Sequence, residues 1–144
     1  TLVSSDGGPN RYSLTILTKS PEGWKSRRIT APRKGEKEAE EDDWRSVFMG
    51  LAFEDNRLLY ASEGNSGRVR LIDVTSGKRI ATIDLNNGGY QDSYTGDLAF
   101  DAARNLLFVV DQANFRVAVI DTRRRAVISS LKVGRIPFAV ALEG

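Results

Sequence analysis

The sequence has no cysteine and no histidine. Without cysteine there are no disulfides and no thiolate metal sites, and the redox compartment is left open. Without histidine there can be no Ser-His-Asp or Cys-His triad, no HExxH zinc site and no imidazole proton shuttle. Any catalysis would rest on Asp, Glu, Lys, Arg or Tyr. No apolar run reaches the roughly 18 residues of a membrane helix, so no membrane span is expected. Charge of one sign is also missing: 21 Lys and Arg stand against 19 Asp and Glu, a net +2, which gives no case for nucleic-acid binding. The Arg123-Arg124-Arg125 run reads as a solvated hairpin turn. The chain opens on Thr1 rather than Met, so a processed or cut-down chain is expected, and a removed signal peptide would leave no trace.

What is present is 144 residues, 40% hydrophobic and 28% charged, the balance of one globular domain able to bury a core. No segment has helical periodicity. Thr1–Ser5 is a short β-type run that ends in the turn signal Asp6-Gly7-Gly8-Pro9-Asn10. Tyr12–Leu17 alternates, Ser20–Gly23 turns, and Trp24–Ala31 returns, which predicts three antiparallel strands. The stretch 33–45 carries both signs of charge and few apolar residues, so it reads as an exposed loop ending near Trp44. Its acids Glu38, Glu40, Glu41, Asp42 and Asp43 lack the alternation and central glycine of an EF-hand and give only a weak cation signal.

From Leu51 the chain repeats itself. LAFEDNRLLYASEGNSGRVRLIDVTSGKRIATID over 51–84 is matched by LAFDAARNLLFVVDQANFRVAVIDTRRRAVISSLK over 98–132. Leu58, Leu59, Tyr60, Arg68, Val69, Leu71, Ile72, Asp73 and Ile80 align with Leu106, Leu107, Phe108, Arg116, Val117, Val119, Ile120, Asp121 and Ile128, at a constant offset of 48 positions. Each copy reads as four short strands joined by turns. Four antiparallel strands every 40 to 50 residues is the pattern of a β-propeller blade. The expected fold is therefore all-β, a single propeller segment over 1–144. Its blade-like units are 1–33 plus 135–144, 47–85 and 95–133. With strands named A to D outward from the channel, the order is BCD-ABCD-ABCD-A, and Val140-Ala141-Leu142 is the last strand A.

The residues also resemble the bacterial YVTN-type propeller repeat, similar to YncE-like and lactonase-like propellers. The likeness rests on the opening LAF, the second strands LLYA and LLFVV, the hairpins VRLIDVTSGKRI and VAVIDTRRRAV, and VGRIP leading onward. Asp73, Thr75, Gly77, Asp121, Gly134 and Pro137 match. Ala61 and Val109-Val110 depart from the name-giving motif, and Glu54-Asp55-Asn56 and Asp101-Ala102-Ala103 replace its first turn. WD-repeat propellers are disfavoured because their His and Trp-Asp signatures are missing. The resemblance implies a periplasmic or extracellular bacterial binding protein, a lactonase-like enzyme, or the propeller part of a larger phosphoesterase.

Three blades cannot close a ring. Either two copies form a six-bladed ring, each terminal strand A completing the other's first blade, or the chain is a piece of a longer propeller. Loops from B to C and from D to the next A share one face, where binding is expected. That face holds the candidate ligand residues Trp44, Glu63, Asn65, Tyr90, Asp92, Tyr94, Asp97, Asp111, Asn114 and Arg135. Glu63, Asp97 and Asp111, with Asn65 and Asn114, offer hard oxygen ligands for calcium or magnesium, or else cap turns and bond neighbouring backbone. Trp44, Tyr90 and Tyr94 would form an aromatic platform for a sugar or peptide, or else pack onto the blade tops. The expected function is a non-enzymatic module binding a protein or small molecule. The alternative is a divalent-metal lactonase-like hydrolase.

Overall fold

The computed structural model describes residues 1–8, 11–31, 44 and 46–144. Among the described residues there are eleven strands and no helix. β1 (Leu2–Gly8), β2 (Arg11–Ser20) and β3 (Gly23–Thr30) form a three-stranded sheet in that order. β4 (Gly50–Phe53), β5 (Leu58–Ser62), β6 (Arg68–Asp73) and β7 (Arg79–Asp84) form a four-stranded sheet. β8 (Thr95–Asp101), β9 (Leu106–Asp111), β10 (Arg116–Asp121) and β11 (Ala126–Lys132) form another. All neighbours are antiparallel and consecutive, so the sheets are blades 1, 2 and 3 of a propeller-like arrangement, with blade 1 lacking its inner strand.

The repeat extends to backbone detail. In blade 2 the Asp73 carboxylate accepts the N–H groups of Thr75 (2.8 Å) and Ser76 (3.3 Å); in blade 3 Asp121 accepts those of Arg123 (2.9 Å) and Arg124 (3.1 Å). Aspartate at this position therefore nucleates each C–D turn. A register shift follows at Leu71/Ile72 in blade 2 and at the aligned Val119/Ile120 in blade 3. Such a bulge sharpens strand twist, as a propeller blade requires.

Because strand side chains alternate, each blade offers two faces. Leu59, Ala61, Ile72 and Val74 of blade 2 pack with Leu14, Ile16 and Ile29 of blade 1 and with Phe48. Tyr60, Val69, Leu71, Ile83 and Leu85 on the opposite face pack with Leu98, Leu107, Val109, Ala118 and Ile120 of blade 3. Inner strands approach closely: a Cβ on Gly50 would collide with the Gly96 carbonyl and lie 2.9 Å from the Asp97 Cα and 3.1 Å from the Leu98 N. Glycine at Gly50 is what lets the two backbones meet there.

Two expectations change. Asp6, Gly7 and Gly8 are strand rather than turn, paired with Ser13, Tyr12 and Arg11, because the ladder to β2 continues through them. Residues 133–144 form no strand, since among the described residues no neighbouring edge runs beside them to complete a ladder. The Val140 N–H instead donates to Asp97 Oδ2 at 2.9 Å. The acids at 38 and 40–43 lie outside the described residues.

Candidate functional site

The B–C loops (63–67 and 112–115) and the D–A connection 85–94 lie at the same end of the blades. They are joined by Thr95 N–H to Gly64 O (3.0 Å) and Gln112 N–H to Tyr94 O (2.9 Å). At the other end Val74 N–H donates to Arg57 O and Thr122 N–H to Asn105 O, tying C–D turns to A–B turns.

Each B–C loop is held by an acid at the end of strand B and an arginine opening strand C. In blade 2 the buried Glu63 accepts Arg68 Nε at 2.7 Å and Ser66 Oγ at 2.8 Å on Oε2, with Arg70 Nε 3.5 Å from Oε1. In blade 3 Asp111 Oδ2 accepts Arg116 Nε at 2.9 Å; the two side chains are 0% and 2% exposed. The rest of the Arg116 guanidinium donates to Ser130 Oγ and Leu85 O, both at 2.8 Å, while the Tyr90 ring stacks 3.5 Å away. Such charge-assisted, fully bonded pairs are what a buried charge needs to be tolerated.

Asp111 also anchors the long connection between blades. Tyr94 N–H donates to Oδ1 at 3.1 Å, and the Asn114 amide lies within bonding reach of Asp111 Oδ2, Ser93 Oγ and Gln91 O. Burial alone would raise the Asp111 pKa, but the bonds from Arg116, Asn114, Ser93 and the Tyr94 amide together hold it below the usual aspartate range. The group is an ionised strut, not a general base poised near neutral pH.

The structure thus gathers Tyr90, Tyr94, Asp111 and Asn114 into one network, in which the Asp111 carboxylate and the Asn114 amide both have partners within the fold. Tyr94 also lies over Gly64, 3.6 Å from the position a Cβ would take. The remaining candidates are separate. Trp44 packs edge-on against Phe48, ring centroids 4.8 Å apart, beside the blade 1–blade 2 core, so it shares no platform with Tyr90. Asn65, Asp92 and Arg135 are exposed, and Asp97 caps Val140. Among the described residues no group of three or more His, Cys, Asp or Glu is placed to hold a metal ion. Sequence reasoning missed Arg68, Arg116, Ser93 and the buried Thr95, whose hydroxyl donates to Arg68 O at 3.0 Å. The acid–Arg spacing of five, present at both 63–68 and 111–116, was the available signal.

Among the described residues, clefts open to solvent lie at both ends of the blades. One of about 230 Å³ lies under the connection at Asn87, Gly88, Tyr90 and Arg116, against Val127–Ser130. A larger one of about 280 Å³ lies at the turn end, between Thr18, Lys25 and Arg27 of blade 1 and Asn56, Val74 and Thr75 of blade 2. The turn end is therefore less featureless than its short loops suggest.

No protein-family model matches the sequence, and no curated protein matches it. Solved structures do match. Hydrazine synthase of Kuenenia stuttgartiensis superposes with a TM-score of 0.56 at 19% identity over 64% of this chain and 25% of its own. Apo AztD from Citrobacter koseri superposes with a TM-score of 0.56 at 18% identity over 92% of this chain and 32% of its own. Both are β-propeller-type proteins, and at this identity the likeness shows the fold alone. The chain spans a third or less of either.

Proposed function

We propose that this is a YVTN-type propeller module of a bacterial extracytoplasmic protein, and that it binds a protein partner through its B–C and D–A loops without chemistry. The observation that carries this reading is the fate of the ionisable groups at that end. Glu63 and Asp111 are buried and neutralised by Arg68 and Arg116, which makes the loops rigid but leaves neither carboxylate to act as a base or metal ligand. Solvent meets Asn65, Asp92, Phe115 and Arg135, contact groups on a pre-ordered rim. The cleft there is shallow and lies beneath the connection, which favours a protein surface over an enclosed small molecule.

The test is selection of binders from a displayed peptide or protein library against the chain, followed by counter-screening. Binders that lose affinity for Asn65→Ala/Asp92→Ala/Phe115→Ala but not for Arg104→Ala/Arg124→Ala at the turn end support the reading. Binders indifferent to the rim substitutions, or lactone hydrolysis that Asp111→Asn abolishes without unfolding the chain, sink it.

A further inference from the structure

We infer that the open face of blade 3 is a docking surface for a further four-stranded blade whose facing side chains are apolar, with residues 135–142 of this chain as its inner strand. The repeat identifies the face. Blade 2 covers blade 3 with Leu58, Tyr60, Val69, Leu71, Ile83 and Leu85. At the same offset of 48, blade 3 carries Leu106, Phe108, Val117, Val119, Leu131 and Val133, every one apolar. None of these belongs to either core cluster; Val119 is 7% exposed at the middle of the face, Leu106, Phe108, Val117 and Val133 are partly exposed, and Leu131 is 50% exposed. A face that repeats a buried interface residue for residue, yet keeps five of its six apolar side chains partly or largely exposed, is built for the same kind of cover.

The inner strand of that cover is already in position. Leu51-Ala52-Phe53 and Leu98-Ala99-Phe100 lie in β4 and β8, the inner strands, and Val140-Ala141-Leu142 is the third such triplet. Aligned on the triplets, Asp97 corresponds to Gly50 and Val140 to Leu98. A Cβ on Gly50 would lie 3.1 Å from the Leu98 N; the real side chain of Asp97 accepts the Val140 N–H at 2.9 Å. Residues 135–142 therefore stand to blade 3 as β8 stands to blade 2. Among the described residues no strand pairs with them.

Blade 1 of a second copy could offer three strands and a vacant inner edge, but its face is wrong. Val3, Leu14, Ile16 and Ile29 point to blade 2. The alternate residues present Ser4, Asp6, Ser13 and Thr15, with Leu2 and Leu17 at one end. Asp6 accepts Thr15 Oγ1 at 2.6 Å and lies 3.5 Å from the Ser4 and Ser13 hydroxyls. Closing this face on Phe108, Val117 and Val119 would bury a carboxylate whose partners among the described residues are neutral hydroxyls against apolar side chains, which is unfavourable.

The test is the self-association of the full chain by sedimentation velocity. Asp6→Leu/Ser13→Val/Thr15→Val turns blade 1 into an apolar cover and is expected to form a discrete two-copy particle, with self-association at least about tenfold tighter than the unsubstituted chain. Adding Val117→Asp/Leu131→Asp, a cross-strand pair on the blade 3 face, should abolish that particle. Three results would overturn the inference: an unsubstituted chain that is already a discrete dimer, a triple variant that associates no better, or association that survives Val117→Asp/Leu131→Asp. Should the triple variant fail to fold by circular dichroism, binding of the apolar dye ANS to the unsubstituted chain decides. A several-fold loss of fluorescence with Val117→Asp/Leu131→Asp at unchanged melting temperature supports the open face; no loss refutes it.

Discussion

Blades 2 and 3 share a skeleton and differ in what it carries. The aspartate-capped turn, the bulge and the acid–arginine bracket recur at the same offset, but three glycines do not. Gly67, Gly77 and Gly88 have φ of 69°, 75° and 59°; their counterparts Phe115, Arg125 and Ile136 are held at 52°, 54° and 49°. A left-handed conformation is unfavourable for any residue with a Cβ, most of all for a bulky or β-branched one. At the first of these pairs the backbone hydrogen bond is the same in both blades: Leu85 N–H to Gly67 O and Val133 N–H to Phe115 O, each 2.9 Å. The repeat's backbone thus overrides local preference, and blade 3 is the strained copy. Phe115 and Ile136 are exposed at the loop end, where strain coincides with the proposed binding rim.

The largest contrast should come from the brackets. Arg116→Leu leaves Asp111 buried without its cation and should cost about 3 kcal/mol, the low end for a broken buried pair because Asn114 and the Tyr94 N–H still bond the carboxylate. Arg68→Leu should cost clearly less, since Arg70 Nε is 3.5 Å from the other oxygen of Glu63 and Arg68 is itself 13% exposed. Urea unfolding of both variants reads the difference. Equal losses would mean that Arg70 does not support Glu63 and that the two brackets are equivalent.

Acid should strike the same place. The Asp111 carboxyl is depressed in the folded chain, so the unfolded chain binds its proton more readily. Its contribution is therefore complete above the ordinary aspartate value of about 3.9 and is lost as pH falls from there through the lower folded value. Asp111→Asn should flatten that part of the stability–pH curve while lowering stability at pH 7. A curve between pH 5 and 2 as steep in Asp111→Asn as in the parent would place the acid-sensitive group elsewhere.

Much of this was legible beforehand, and what was not has physical causes. Period-two alternation in VRLID and VAVID marked strands because each strand buries one or both faces, and the offset of 48 marked blades because equivalent side chains meet equivalent neighbours. Glu63 and Asp111 read as free oxygen ligands because periodicity reports faces, not which cation folds back onto an acid five residues earlier. Trp44, Tyr90 and Tyr94 share a loop end in sequence, but one finds Phe48, one Arg116 and one Gly64, pairings set by loop paths that no local pattern encodes. The strand over 135–142 was read from its apolar triplet; a strand needs an edge to pair with, which a triplet cannot supply.

Exchanging glycines should make the blades more alike. Gly77→Arg is expected to cost about 2 kcal/mol: the positive φ is unfavourable, and a Cβ there would sit 3.3 Å from Ile29 Cγ2 of blade 1. Arg125→Gly should gain only about 0.5–1 kcal/mol, because relief of φ is partly offset by the greater freedom of glycine in the unfolded chain. Thermal melts of the two variants measure the asymmetry. A loss on Arg125→Gly would mean the Arg125 side chain holds the turn by a contact worth more than its strain.

The smallest effect should follow from removing one oxygen. Tyr60 is fully buried between blades 2 and 3, tilted against Phe100 with centroids 6.0 Å apart, and its hydroxyl donates to Glu54 Oε2 at 3.1 Å. Burial, reinforced by the Glu54 carboxylate, pushes the phenol pKa up, so the proton stays in that bond. The aligned residue in blade 3 is Phe108, which does without such a bond on its open face. Tyr60→Phe should therefore keep the ring packing and cost about 0.5 kcal/mol, since Glu54 is only partly buried and water can replace the lost donor. A cost above about 2 kcal/mol by urea unfolding would show that Glu54 depends on the phenol. Blade 2 would then be tuned to a polar contact at its own A–B turn that Phe108 of blade 3 cannot make.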